Sequence, residues 1–175
     1  FPSPQVTKQL TNQVTPPPPS PMKILGIDPG STSMGFGIIE ATSSSLKKIA
    51  CGTTNLKQKN LAEKLGALRQ EVLKILKEYK PEAVGIEKLF FAKNKKTAFE
   101  VAQARGVILV TLFESNIPIF EFTPAEIKIA VANYGSADKL MVRKMVECLL
   151  DIKTIPGDDN AADALAVAIT TYGAA

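Results

Sequence analysis

Apolar and polar positions divide most of the chain into recognisable elements. Lys23 to Ile27 is a short apolar run, Met34 to Glu40 alternates apolar residues with glycines, and Leu46 to Thr54 is rich in apolar and β-branched residues. Three successive strands, joined as two hairpins, are expected. Between Asn60 and Tyr79, Leu61, Leu65, Leu68, Val72, Ile75, Leu76 and Tyr79 recur every three or four positions, which predicts a helix with one buried stripe. Pro81 opens a new segment, and Ala83 to Ile86 reads as a buried strand that delivers Glu87 at its end. After a basic loop, Thr97 to Ser115 is helical in pattern and Pro118 to Phe122 forms a fifth strand. Pro124 suits the first turn of a further helix. Asp138 to Leu150 and Asp159 to Tyr172 complete the helices, separated by Pro156 and Gly157. This order describes a mixed α/β layered domain without internal repeats.

Composition adds boundaries to that picture. Residues 1 to 21 hold Pro16, Pro17, Pro18, Pro19 and Pro21 among Thr, Gln, Ser and Asn. Such a segment buries too little apolar surface to offset the entropy of ordering, and a flexible tail is expected, either a remnant of expression engineering or a piece of something longer. Residues 22 to 175 are expected to form one domain, since 175 residues with 45% hydrophobic content support one core rather than two. Lys and Arg number 21 against 17 Asp and Glu, a formal charge of +4, which is compatible with a polyanionic partner. Cys51 and Cys148 have no CxxC spacing and the chain has no histidine, which excludes a structural zinc module and suits reduced thiols in the cytoplasm. No apolar run approaches the roughly 18 residues of a membrane helix, and no signal-peptide order is present, so a soluble, cytoplasmic protein is expected.

Three carboxylates stand out against this background. Asp28 closes an apolar strand directly before Pro29-Gly30, where it is either a turn-initiating Asp bonding its own backbone or a site residue. Glu87 ends a strand of buried type and either reaches water or points into a site. Asp163 lies in Ala161-Ala162-Asp163-Ala164-Leu165-Ala166-Val167-Ala168, a segment apolar nearly all round. Asp158, Asp159 and Asn160 serve as caps or dipole partners at that helix start, but Asp163 is a turn further in. An unpaired buried carboxylate is costly and needs a cation. With no histidine present, a hard divalent ion on oxygen ligands is the economical partner, and its chemistry would be hydrolytic phosphoryl transfer.

The order of motifs resembles one family. Ile24-Leu25-Gly26-Ile27-Asp28-Pro29-Gly30, Ile86-Glu87-Lys88-Leu89-Phe90-Phe91-Ala92-Lys93-Asn94, Gln103-Ala104-Arg105-Gly106, Tyr134-Gly135-Ser136-Ala137-Asp138-Lys139 and Ala161-Ala162-Asp163-Ala164-Leu165-Ala166 are similar to the RuvC family of junction resolvases, in the same order, from Met22 to about Thr171. The resemblance implies an RNase H-like fold, a five-stranded mixed sheet flanked by helices. It also implies a homodimer that acts on four-way (Holliday) DNA junctions in recombination and repair, with two symmetric cuts leaving ligatable nicks, and a branch-migration complex as a further partner. Asp28, Glu87 and Asp163 would ligate Mg²⁺, with Mn²⁺ as a substitute. The family's remaining acidic position falls on Asn160, where similar proteins usually carry Asp and sometimes His. Asn160 and Asp163 share a helix face, but an amide oxygen is neutral and cannot act as a base. Three readings follow: a natural variant active through three carboxylates, an introduced change that traps DNA-bound complexes, or compensation by Asp159. Reduced activity is the favoured expectation.

The same resemblance extends to DNA contacts. Lys88, Lys93, Lys95 and Lys96 follow Glu87 in a basic loop and suit a phosphate-binding rim, although loop lysines are often merely solvated. Phe90 would sit at the junction centre, with Phe91 there or in the core. Lys128 and Lys139 match basic positions of the family, and Lys139 would stabilise charge at the scissile phosphate. Helix-cap pairing is the alternative for both, and Arg105 could equally be a packing residue. Two rival functions remain: a junction-binding module that has lost cleavage, and an actin-like phosphotransferase suggested by Gly26-Ile27-Asp28-Pro29-Gly30-Ser31-Thr32. The latter would need a second lobe for which the core has no room.

Overall fold

Five strands form one sheet in the order β3-β2-β1-β4-β5 in a computed structural model, which describes residues 20–89 and 95–175, as backbone alone at 95–97. The strands are β1 (Met22–Pro29), β2 (Ser33–Ala41), β3 (Leu46–Asn55), β4 (Ala83–Glu87) and β5 (Ile119–Phe122). Five helices follow the expected order: α1 (Leu61–Tyr79), α2 (Lys95–Glu114), α3 (Pro124–Ala132), α4 (Lys139–Leu149) and α5 (Asp159–Tyr172). The first three strands pair antiparallel, as two hairpins require, whereas β4 and β5 are reached through helices and pair parallel beside β1.

The sheet carries a core on each face. Leu25, Ile27, Ile38, Val84 and Ile86 pack on one side with Leu68, Val72 and Ile75 of α1 and Ile108 and Leu112 of α2. On the other, Ile24 and Ile39 pack with Leu165 and Val167 of α5, Ile127 of α3 and Val146 of α4. These apolar side chains explain why the strands read as near-continuous apolar runs: both faces are covered.

Helix α5 lies almost on the sheet backbone. A methyl group built on Gly26 would stand 2.0 Å from the Ala164 carbonyl oxygen, and one on Gly35 would stand 2.2 Å from that of Asn160. Glycine in the strands and alanine in the helix therefore permit one close approach between two backbones. Local caps set the helix starts: Asn60 accepts from the Glu63 amide at α1, and Thr123 and Glu126 form a reciprocal capping box at α3.

Two expected boundaries move. Asp28 does not follow β1 but lies inside it, because pairing with β2 continues through Asp28–Gly35 and Pro29–Met34. The turn-initiating reading of Asp28 is thereby corrected. Helix α2 begins at Lys95, so Lys95 and Lys96 belong to its first turn rather than to a loop. Among the described residues no helix is long and apolar enough to cross a membrane.

Candidate metal centre and nucleic-acid interface

Side chains alternate along a strand, so residue 28 shares the face of residue 26, and residue 87 that of residue 85. Gly26 and Gly85 both face α5. Asp28 and Glu87 therefore project toward α5 from the carboxyl ends of adjacent parallel strands, one step beyond the Ile27–Ile86 pair. Ligands of open α/β sheets gather at this edge. Helix α5 meets it with its first turns, since Asn160 packs on Gly35 and Ala164 on Gly26. Asp163 is one residue before Ala164 and reaches the same cleft, which is lined by Glu87, Pro124, Lys128, Lys139 and Asp163.

The cluster carries more negative charge than its surroundings readily solvate. Burial, followed by the nearby Asp163 carboxylate, raises Asp28 from 3.8 to about 6. Burial, followed by the Asp28 carboxylate, raises Glu87 from 4.5 to about 7. The Asp28 and Glu87 carboxyl groups stand close enough to share a hydrogen bond when one of them is protonated. Two neighbouring carboxyl groups pushed up in this manner hold a proton between them near neutrality unless a cation relieves them.

Asp163 differs from its expected environment. Its side chain is 31% exposed, and the Lys139 ammonium donates to Oδ2 at 3.2 Å. The expectation of an unpaired buried carboxylate is corrected: α5 is buried, but Asp163 faces the cleft and already has a cation. Lys139 is not committed in return, being 71% exposed, and the Asp163 carboxylate raises its pKa. Among the described residues no three of His, Cys, Asp and Glu stand together as a ready cation cage. The donor set nevertheless fits a hard divalent ion: carboxylate oxygens in excess, two of them costly to ionise without one, and no nitrogen or sulfur ligand.

The start of α5 is organised by separate contacts. Asp158 is the N-cap, accepting from the Ala161 amide, and it also accepts from the Thr53 hydroxyl, which lowers its pKa. Asp159 is 69% exposed and faces Arg143 at 3.5 Å. Both acids beside Asn160 therefore have partners elsewhere, and Asp159 is poorly disposed to replace it. Asn160 donates through Nδ2 to Ser33 Oγ at 3.2 Å. Ser33 had no signal in the sequence, because only the approach of α5 to β2 brings position 33 to position 160.

The basic residues separate into two groups. Lys128 is half-buried and lines the cleft with Lys139, while Lys88 is exposed beside Glu87. Arg105 is engaged internally: Nε donates to the Glu87 carbonyl at 3.2 Å and the guanidinium pairs with Glu121. It braces α2 against the ends of β4 and β5. Phe90, Phe91 and Lys93 lie outside the described residues, as do the side chains of Lys95 and Lys96.

The family model for crossover junction endodeoxyribonuclease RuvC matches residues 24–171. The chain belongs to the RuvC family. A RuvC from Thermosipho melanesiensis is 46% identical over 148 residues, spanning 84% of this chain and 94% of that one. Another from a Roseiflexus species is 45% identical over 154 residues, 87% of this chain and 92% of that one. Among solved structures, Thermus thermophilus RuvC in complex with a Holliday junction substrate is 34% identical with a TM-score of 0.79, over 85% of this chain and 92% of that one. The five-stranded mixed sheet and its flanking helices are the RNase H-like fold of RuvC, as expected.

Proposed function

We propose that this chain is a structure-specific endonuclease that resolves four-way DNA junctions by divalent-metal-dependent hydrolysis of phosphodiester bonds, in recombination and repair. The observation that carries the reading is the convergence of Asp28 and Glu87, from adjacent strand ends, beside the Asp163 carboxylate of α5. Residues 22–175 are the nuclease unit, with 1–21 outside it, and the cytoplasm is its compartment. Asp28, Glu87 and Asp163 are the ligands of Mg²⁺, with Mn²⁺ as a substitute, and Asn160 contributes an amide oxygen. Bound divalent ions supply activation of water and stabilisation of the departing oxygen.

The protein's own groups do the remainder. Asp28 and Glu87 give up their shared proton as positive charge enters, which couples metal binding to pH. Lys139 moves its ammonium from Asp163 to a phosphate oxygen, and Lys128 and Lys88 hold flanking phosphates. Lys93, Lys95 and Lys96 are further phosphate contacts and Phe90 the contact to the bases at the junction centre, while Arg105 braces α2 against the ends of β4 and β5. Two subunits give symmetric cuts, and an apolar stripe supports pairing: on α2, Phe99, Val110 and Phe113 are 73%, 57% and 77% exposed. With Gln103 and Gly106 they recur at alternating spacings of four and three, a seam that a second copy covers. A branch-migration complex is the further partner that the family relationship suggests.

The neutral Asn160 favours a second reading, a junction-binding module without turnover. A labelled synthetic four-way junction with Mg²⁺ distinguishes them. Paired symmetric nicks that disappear in Asp28→Asn, Glu87→Gln and Asp163→Asn would support the nuclease. Tight binding without nicks would support the module, and absence of both would overturn the reading.

A further inference from the structure

Asn160 and Ser33 lie 127 positions apart, yet their side chains meet at 3.2 Å. Ser33 is also the residue that closes the turn after Asp28-Pro29, its carbonyl accepting from the Gly30 amide at 2.9 Å. Two residues further along β2, Gly35 seats the Asn160 backbone so closely that no side chain could intervene. The start of α5 is thus pinned beside the turn that follows Asp28, and among the described residues the Asn160 side chain has Ser33 as its hydrogen-bond partner.

A carboxamide has two unlike ends. Its oxygen is a hard donor that can ligate a divalent ion, whereas its NH₂ group cannot. A carboxylate at this position would present an oxygen whichever way it turned. An amide must be held the right way round. Here Ser33 Oγ accepts from Nδ2, which turns the nitrogen end toward β2 and leaves Oδ1 without a protein hydrogen bond among the described residues. Asp158 is engaged by the Thr53 hydroxyl, and Asp159 is largely exposed beside Arg143.

We propose that Ser33 is a positioning residue for the metal centre, orienting the Asn160 carboxamide so that its oxygen serves as the fourth ligand in place of a carboxylate. Ser33 touches neither metal nor DNA; it acts through Asn160. This inference rests on the metal-centre reading above, and its specific content is that Ser33 matters only while residue 160 is an amide.

The test measures Mn²⁺ binding by the full chain without DNA, by electron paramagnetic resonance of the free ion. It compares the native sequence, Ser33→Ala, Ser33→Thr, Asn160→Asp and the double variant Ser33→Ala with Asn160→Asp. Loss of the orienting hydrogen bond should weaken Mn²⁺ binding about tenfold in the native background, and Ser33→Thr, which keeps the hydroxyl, should restore it. In the Asn160→Asp background the same alanine change should alter binding less than about twofold, because either carboxylate oxygen can ligate. Equal losses in both backgrounds, or no loss in the native one, would overturn the role of Ser33. Mn²⁺ binding by Asn160→Asp but not by the native chain would also overturn it while sparing the metal centre. Failure of every variant to bind would overturn the metal centre itself.

Discussion

Replacing Glu87 by Gln removes one of two neighbouring carboxyl groups while keeping the side-chain length and a donor for Asp28. In the metal-free protein Glu87 is raised from 4.5 to about 7 by burial and by Asp28. Above 4.5 the unfolded chain releases this proton, whereas the folded chain retains it until about 7. Metal-free stability therefore falls as pH rises through that window and then levels off. An isolated group displaced this far would cost about 3 kcal/mol at pH 8. Because Glu87 borders an open cleft and shares its proton with Asp28, screening and coupling reduce the expected cost to about 1–2 kcal/mol. For a domain of this size, Glu87→Gln should melt about 3–6 °C higher than the native chain at pH 8 in chelator. The gap should close toward pH 4. Added Mg²⁺ should stabilise the native chain and not the variant, in proportion to binding, and the variant should not cleave. Thermal melting across pH, with and without metal, reads all of this. A variant less stable than the native chain at pH 8, or a gap that does not change with pH, would refute the reasoning.

Other positions separate function from folding. Lys139→Ala should lower cleavage about a hundredfold through loss of charge at the reacting phosphate, yet change urea stability by less than about 1 kcal/mol because the pair is exposed. Gly26→Ala places a methyl 2.0 Å from the Ala164 carbonyl and should cost on the order of 3 kcal/mol in urea titration. Gly66→Ala on α1, where nothing lies within 4 Å, should instead gain about 0.5–1 kcal/mol. Phe113→Glu on the exposed stripe of α2 should leave the circular dichroism spectrum intact and, if the proposed pairing holds, shift sedimentation to a monomer; an unchanged sedimentation coefficient would refute pairing through this stripe.

The elements were legible where burial and periodicity agree. The stripe from Leu61 to Tyr79 and the apolar runs around Ile24 and Val84 are direct consequences of a sheet covered on both faces. Asp163 stood out because a charge in an alanine-rich segment has little other explanation, but its pairing with Lys139 depends on how α4 meets α5, which no local pattern encodes. The glycines of β1, β2 and β4 carried more information than strand periodicity used. Gly26, Gly35 and Gly85 lie on one face because one helix crosses them there, and that crossing sets where residues 160 and 163 stand. The contact between Ser33 and Asn160 is a product of the same crossing. Arg105 was ambiguous for a physical reason: a guanidinium in a helix serves equally well as an internal brace, the role its bonds to Glu87 and Glu121 fill.

The most direct measurement is single-turnover cleavage of an end-labelled four-way junction in Mg²⁺, beside a linear duplex of the same sequence, by the native chain and by Asn160→Asp. The account predicts symmetric, ligatable nicks in the junction alone, slower for the native chain than for Asn160→Asp. Equal cutting of linear duplex, or no cutting of the junction by either protein, would contradict it.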